Sequence, residues 1–322
     1  MKAVVMKDVG DVDVLEYVDR RDPNPGPGEV LVGVEAAGVN FMDIGVRQGM
    51  AWTGVSNPKI LGVEGAGLVL AVGDGVRDFV VGNRVAWVYA PGSYAEMITM
   101  PAESLVPLPH DIDFRTAASL MMNGLTASHF ATEFYPVQQG DIALVHAAAG
   151  GVGSLLTQII KLRGGRVIGR VSSESKRSVA TEAGVDDLLV DRDGGFAGAV
   201  MRLTNGEGVH VVYDGSGPAS FQASLNSLRH AGTFCWFGPV LEESRAVELF
   251  SLPKSIKIGF AVYSDHVRTA ELLRKRTAKL FDWVRQGKLK VFNGGVYALA
   301  DAATAHADMW SRKTSGKLLL VP

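Results

Sequence analysis

Asp141-Ile142-Ala143-Leu144-Val145-His146-Ala147-Ala148-Ala149-Gly150-Gly151-Val152-Gly153 decides how the rest of this 322-residue chain is read. Ile142 to Val145 is an unbroken apolar run, the pattern of a strand buried on both faces. It passes into a turn of small residues. Ser154-Leu155-Leu156-Thr157-Gln158-Ile159-Ile160-Lys161-Leu162 then follows with apolar residues at helical spacing. Strand, tight glycine turn and helix together are the setting of a dinucleotide fingerprint. A helix N-terminus carries unpaired N–H groups and a partial positive charge, so a pyrophosphate is stabilised there. Gly150 lets the backbone approach the phosphates, and Gly153 lets the helix pack close to the strand. Ala148 stands where the first glycine of the pattern usually is, with Gly151 and Val152 inside the turn. The same residues also read as a tight βα turn in an ordinary α/β domain. Gly164 to Val171 reads as a second strand and completes a βαβ unit of about the expected ~30 residues, which favours the nucleotide site.

The end of that second strand bears on which nucleotide is bound. An NAD site places an acid there, ~20 residues past the glycines, for the ribose 2′-hydroxyl. Here the chain reads Arg170, Ser172, Ser173 and Lys176. Hydroxyls and cations bind a 2′-phosphate, and a carboxylate would repel it. Glu174 falls where the next helix should start, and belongs on its first turn. The expected cofactor is NADPH, with Ser172, Ser173 and Lys176 around its 2′-phosphate. A merely solvated helix start is the alternative.

Working outward, residues 140–262 alternate strand and helix, the signature of a doubly wound parallel sheet. Helices are expected over Ser175–Ala183, Phe196–Leu203 and Ala219–His230. Strands are expected over Asp187–Val190, Val209–Tyr213 and Thr233–Phe237. Ser255–Tyr263 is the final apolar, β-branched run of this region. An edge strand with a single lysine as protection invites pairing with a twofold copy of itself, so a homodimer through Ser255–Tyr263 is expected. Residues 1–110 are short strand-like runs divided by proline and glycine, the pattern of a small, bent β domain. Asp113–Phe134 reads as helical, with a break at Gly124. Val267–Gln286 reads as a long amphipathic helix, and residues 288–322 return to β-like segments.

Apolar residues make up 47% and charged residues 20% of the chain, as in soluble globular proteins. A net charge of −2 leaves no electrostatic footprint for nucleic acid or an anionic membrane. No apolar run approaches the ~20 residues of a membrane span. Cys235 is the single cysteine, inside an apolar run, so no internal disulfide forms and a buried, inert thiol is expected. Residues 1–8 carry no long apolar signal region, and the cytoplasm is the expected compartment.

Several motifs together resemble the medium-chain dehydrogenase/reductase superfamily, and within it the zinc-free quinone oxidoreductases of the zeta-crystallin type. They are Ala37-Gly38-Val39-Asn40-Phe41-Met42-Asp43 with Arg47-Gln48-Gly49, Gly62-Val63-Glu64-Gly65-Ala66-Gly67, Gly124-Leu125-Thr126, the turn at His146–Gly153, Val212-Tyr213-Asp214 and Phe237-Gly238. The resemblance covers the whole chain. It implies an α/β protein with a GroES-like, β-rich catalytic domain (1–123 and 266–322) and a Rossmann NADPH-binding domain (124–265). It implies Asn40 beside the nicotinamide as a hydrogen-bond donor to a carbonyl oxygen; read from the residues alone, Asn40 is also a turn or helix-cap residue. Thr126 would open the nucleotide-side pocket, and Phe237 and Gly238 would end a parallel strand at its ligand-binding edge. Asp43 and Arg47 read as a structural pair, and Trp52 as an aromatic wall.

No metal site is expected. The zinc alcohol dehydrogenases of the superfamily carry cysteine and histidine where this chain has Asn40 and Val63. Glu64 and Asp43 alone are a poor donor set for zinc. His110, His129, His146 and His306 read as packing or surface residues. Without a Lewis acid, hydride transfer to a conjugated acceptor is easier than reduction of a plain ketone. The expected activity is an NADPH-dependent reduction of a quinone or α,β-unsaturated carbonyl. Two departures stand out: Asn123 replaces a lysine common before Gly-Leu-Thr, and Asp191 sits where a tyrosine often faces the adenosine phosphate. The alternative function is a non-catalytic, NADPH-binding structural or regulatory protein of the crystallin kind.

Overall fold

The computed structural model describes residues 1–51, 59–192, 194–238 and 247–322; Trp52 lies outside them. The chain forms two compact units: Met1–Leu125, Val267–Gly287 and Asn293–Pro322 make the first, and Thr126–His266 with Lys288–Phe292 the second. Residues 288–292 sit with the second unit because Gln158 clamps Lys290 there. Its Nε2 donates to the Lys290 carbonyl at 2.9 Å, and its Oε1 accepts the Lys290 N–H at 2.7 Å.

In chain order the first unit contributes β1 (Lys2–Met6), β2 (Leu15–Asp19), β3 (Glu29–Val39), α1 (Phe41–Arg47), β4 (Lys59–Ile60), β5 (Glu64–Val72), β6 (Arg84–Val88), β7 (Met97–Pro101) and β8 (Leu105–Pro107). The helix α2 (Phe114–His129) carries the boundary between the units. The second unit contains β9 (Ile142–Val145), α3 (Gly151–Leu162), β10 (Arg166–Val171), α4 (Arg177–Glu182), β11 (Asp187–Val190), α5 (Ala197–Leu203), β12 (Val209–Asp214), α6 (Pro218–Ser227), β13 (Leu228–Trp236) and β14 (Lys257–Phe260). The chain then returns through α7 (Ala270–Arg285), β15 (Asn293–Ala298), α8 (Ala302–Trp310) and β16 (Lys317–Val321).

β3 is the spine of the first unit. Its burial alternates at first and becomes continuous from Ala36 to Val39, so it changes from a half-solvated strand to one enclosed on both faces. It pairs antiparallel with β5, β7 and β16. Trp87, Tyr94, Ile44 and Met100 fill the core around it.

The second unit is one sheet in the order β11-β10-β9-β12-β13-β14, parallel at every pairing. The chain runs outward from β9 to β11, then restarts at β12 and runs the other way. The order therefore reverses between β9 and β12, where open α/β sheets form their ligand crevice at the carboxyl ends of the strands. Leu144, Ile168, Val212, Phe221 and Phe234 belong to its buried core. Among the described residues β14 pairs only with β13 and is the sheet edge, and its Phe260 is 69% exposed.

Two expectations are corrected. α2 runs unbroken through Gly124. The missing side chain serves packing there, since a Cβ would meet Leu120 Cδ1 at 2.9 Å and Leu280 Cδ1 at 3.1 Å. The helix expected to reach His230 stops at Ser227, and β13 begins at Leu228. Leu228 is fully buried in the sheet core, and residues 229–231 bulge outward through Ala231 at φ +59. Burial of one leucine thus overrides local helical spacing. No described helix is long and apolar enough to cross a membrane.

Candidate active site

The turn after β9 is built as the fingerprint requires. Gly150 caps α3 with an extended backbone, so Gly151, Val152 and Gly153 form its first turn. Their N–H groups have no carbonyl one turn earlier to bind, and so point out as donors. Ala148 is fully buried, and its N–H is held by the Arg170 carbonyl at 3.0 Å. A Cβ on Gly153 would run into the Ala147 carbonyl, with that carbonyl carbon at 2.8 Å and Ala148 Cα at 3.0 Å. The helix therefore rests directly on the turn.

Ser172, Ser173, Lys176, Phe237 and Gly238 leave the same edge of the same sheet, whereas Thr126 lies on α2 and Asn40 in the first unit. Ser172 and Ser173 follow β10. Ser173 lies 2.9 Å, Oγ to Oγ, from Ser175, and Lys176 precedes α4. Glu174 opens a 3-10 turn and is paired with Arg177 at 2.7 Å. Phe237 and Gly238 follow β13, with the Phe237 ring 4.7 Å from that of Phe130. Gly215, after β12, makes room for that ring: a Cβ there would stand 2.5 Å from Phe237 Cε2. Thr126, the first residue of this unit, is 9% exposed on α2.

Arg170, at the same edge, is held by two partners. Its Nε donates to Asp191 Oδ2 at 3.1 Å, and its Nη1 lies 3.2 Å from His146 Nδ1. Since arginine only donates, that nitrogen accepts, and Nε2 carries the imidazole proton towards Ser224 Oγ at 3.0 Å. Ser224 in turn donates to Asp214 at 2.7 Å. The relay ties β10, β9, α6 and β12 together. Burial pushes the His146 imidazole down to about 4, against the pull of Asp214, so it stays neutral. Asp191, which stands where a tyrosine is common, is paired with Arg170.

The first unit holds a buried polar cluster around Asn40 at the start of α1. Asn40 Nδ2 donates to Glu64 Oε1 at 2.7 Å, and its Oδ1 accepts from Lys317 Nζ at 2.6 Å. Lys317 also pairs with Glu64. The other Glu64 oxygen accepts the Met122 N–H at 2.7 Å. A second branch begins at Asp43, which accepts the Asn40 N–H at 2.8 Å and the Tyr94 hydroxyl at 3.0 Å. Tyr94 Oη stands 3.2 Å from His306 Nε2. Burial raises the Asp43 carboxyl to about 7 and pushes His306 down to about 3. Asp43 and Arg47 do not pair as expected: buried Arg47 reaches Asp11 at 3.0 Å.

The two halves of this description have counterparts in known proteins. The alcohol dehydrogenase GroES-like domain family matches residues 26–110, and the zinc-binding dehydrogenase family matches residues 151–283. The quinone oxidoreductase of Pseudomonas aeruginosa is 36% identical over 316 residues, 97% of each chain. The chain belongs to the quinone oxidoreductase family of medium-chain dehydrogenases/reductases. A 2-haloacrylate reductase from a Burkholderia species is 34% identical, covering 100% of this chain and 99% of that one. A mycobacterial protein whose solved structure is a complex with NADPH is 40% identical, with a TM-score of 0.95 over 100% of both chains.

Zinc in the manner of the alcohol dehydrogenases does not fit this family member's residues. Val63 is an aliphatic side chain. Both Glu64 oxygens are taken, and a buried ammonium neutralises the carboxylate. Among the described residues no thiolate or imidazole joins Glu64, so these side chains do not make the donor set that zinc requires. Lys317 was not legible as a site residue, because it reads as the first residue of an apolar terminal strand; its one signal was a lone lysine heading a fully buried run. Tyr94 carries no signal in the sequence either. His110 is exposed and His306 buried against Tyr94, in line with surface and packing roles.

Proposed function

We propose that this oxidoreductase reduces quinones and α,β-unsaturated carbonyl compounds with NADPH and without a metal Lewis acid. The observation that supports the reading is the Lys317–Glu64–Asn40 cluster, in which a lysine and an amide, and no thiolate or imidazole, engage Glu64. One Asn40 Nδ2–H is spent on Glu64, which leaves the second to donate to a substrate oxygen. A neutral donor of this strength suits an acceptor whose charge is spread by conjugation, and a plain alcohol or ketone needs more. NADPH, when bound, supplies the hydride. Gly150 to Gly153 would hold its pyrophosphate, Ser172, Ser173 and Lys176 its 2′-phosphate, and Phe237, Gly238 and Thr126 would border the remainder of the dinucleotide. The 2-haloacrylate reductase among the relatives supports an activated alkene as one substrate class.

We place the protein in the cytoplasm, as a homodimer joined along β14, where the half-buried run around exposed Phe260 continues the sheet. Light scattering on Phe260→Lys tests this: the variant is expected to be monomeric, and an unchanged dimer would rule the edge out. The activity is tested by NADPH oxidation with 1,2- and 1,4-quinones, 2-alkenals, enones, 2-haloacrylate and enoyl thioesters, before and after dialysis against a chelator. Turnover with a conjugated acceptor and an unchanged kcat after chelation are expected. Turnover only with saturated ketones or aldehydes, or loss of activity on chelation, would overturn it.

A further inference from the structure

Within the second unit, α2 ends at His129 and the chain continues as a π-helical turn, Phe130–Phe134. The i,i+4 relation puts His129 and Glu133 on one side, with His129 Nδ1 3.7 Å from Glu133 Oε2. Much later in the chain, a 3-10 turn over Tyr263–Val267 brings His266 to the same carboxylate, its Nδ1 2.7 Å from Glu133 Oε2. The two imidazole rings lie 5.3 Å apart, centroid to centroid.

We propose that His129, Glu133 and His266 bind a divalent transition-metal ion of the zinc class. Three ligand atoms in tetrahedral positions ~2.1 Å from zinc lie roughly 3.4 Å from one another. The distances of 2.7 and 3.7 Å bracket that value, and all three ligand atoms lie within 4.8 Å of one another. An ion therefore needs side-chain adjustment and no backbone rearrangement. Two imidazoles and one carboxylate are a borderline donor set, suited to Zn²⁺, Co²⁺, Ni²⁺ or Cu²⁺ and unsuited to Mg²⁺ or Ca²⁺. Both histidines are buried, at 8% and 1% exposed, so they are held in place and largely dehydrated. The Glu133 side chain is 37% exposed and leaves a path for the ion and a position for water.

The site shares no residue with the catalytic cluster around Asn40. Its ligands lie where the chain enters the second unit and where it leaves, so a bound ion staples the end of α2 to the turn that follows β14. The role is structural: the ion adds its binding energy to the folded state. A His266–Glu133 ion pair is the competing use of the same atoms, and metal and proton would compete for them.

The test uses the full chain stripped with a chelator. Zn²⁺ is titrated calorimetrically in two buffers of different ionisation enthalpy, and Co²⁺ is followed by its visible ligand-field bands. One ion per chain, proton release on binding and a raised Tm are expected. Glu133→Gln removes an exposed ligand without disturbing the fold and is expected to weaken Zn²⁺ binding by about tenfold or more. His266→Gln should do the same, and both should lose the tetrahedral Co²⁺ bands while NADPH-driven turnover persists. Absence of saturable one-to-one binding, or binding unchanged in both variants, would overturn the site. The latter result would assign the ion to exposed histidines such as His110 or His230.

Discussion

Replacing Gly153 by alanine is the sharpest test of the nucleotide turn. The backbone of Gly153 is helical, so alanine brings no φ/ψ strain, and in open space it would add about 1 kcal/mol of helix propensity. The added Cβ, however, meets backbone. The Ala147 carbonyl oxygen stands well inside contact distance, its carbon at 2.8 Å and Ala148 Cα at 3.0 Å. Normal separation is ~3.5–4.0 Å, so the first turn of α3 must withdraw by roughly an ångström. Overpacking of this kind costs ~1–3 kcal/mol and takes back the propensity gain. Binding suffers more than stability, because the N–H groups of Gly151 to Gly153 move with the turn. Losing one charge-assisted hydrogen bond of ~1.5–3 kcal/mol raises the NADPH Kd about tenfold to a hundredfold. Gly150 is the comparison for stability: a Cβ there meets the Ala147 oxygen at 3.1 Å and Ala147 Cβ at 3.8 Å, and its φ of −81 suits alanine. Fluorescence titration of NADPH against both variants, with Tm for each, measures the ranking. Wild-type affinity in Gly153→Ala, or a larger loss of Tm in Gly150→Ala, would refute the argument that this helix is seated on the turn to serve phosphate.

Three further outcomes follow from the same geometry. NADPH is expected to bind at least about tenfold more tightly than NADH, and Lys176→Ala to remove most of that margin, since a charged hydrogen bond is worth ~1.5–3 kcal/mol; equal Kd values for the two nucleotides would refute it. Asp43, held near 7 by burial, keeps a proton in the folded state that the unfolded chain sheds near its ordinary carboxyl value, so its contribution to stability falls as pH rises from about 4 to 7. Asp43→Asn removes that term, and denaturant titrations should show it losing about 2 kcal/mol more than wild type between pH 7 and 5; parallel curves would count against a protonated Asp43. Lys317→Met strands Glu64 and is expected to cost ~3–5 kcal/mol, whereas Lys317→Met with Glu64→Leu recovers stability but not turnover; full turnover in the double variant would remove the cluster from the reaction.

The second unit was legible almost strand by strand, because each parallel strand is a short apolar run closed by a small-residue turn, and that pattern is local. What failed was also local in cause. Gly124 reads as a helix breaker, and the leucines that make it a contact point, Leu120 and Leu280, come from its own helix and from far along the chain. Leu228 reads as the continuation of a helical face, and only the sheet explains why it becomes the first residue of a strand. Asp43 and Arg47 have the spacing of a helical pair, but Tyr94 and Asp11 compete for them. The histidines show the limit most clearly. His129 and Glu133 sit at i,i+4 in plain view, and a distant 3-10 turn supplies His266. Sequence spacing finds ligands that share an element, and tertiary structure alone finds those that do not.

The same limit applies to the Asn40–Glu64–Lys317 cluster, on which the proposed function rests. β16 lies antiparallel to β3 with Leu319 opposite Gly38, and this register sets Lys317 against the face where Glu64 arrives from β5. Gly38 has no side chain because a Cβ there would occupy the space of Glu64 and of Lys317 Cε. Three positions distant in sequence are thus committed to one buried ion pair. Such pairs contribute little net stability, because desolvation of both ions consumes the attraction, and apolar residues of the same volume would serve the fold as well or better. Packing therefore does not account for the pair. What it does fix is the amide of Asn40, with Glu64 on one end and Lys317 on the other, so that neither the rotamer nor the flip is free. A donor pinned from both ends would be pre-organised for an oxygen that gains charge during reduction, which is the role the proposed function gives to a cluster that an apolar core could not replace.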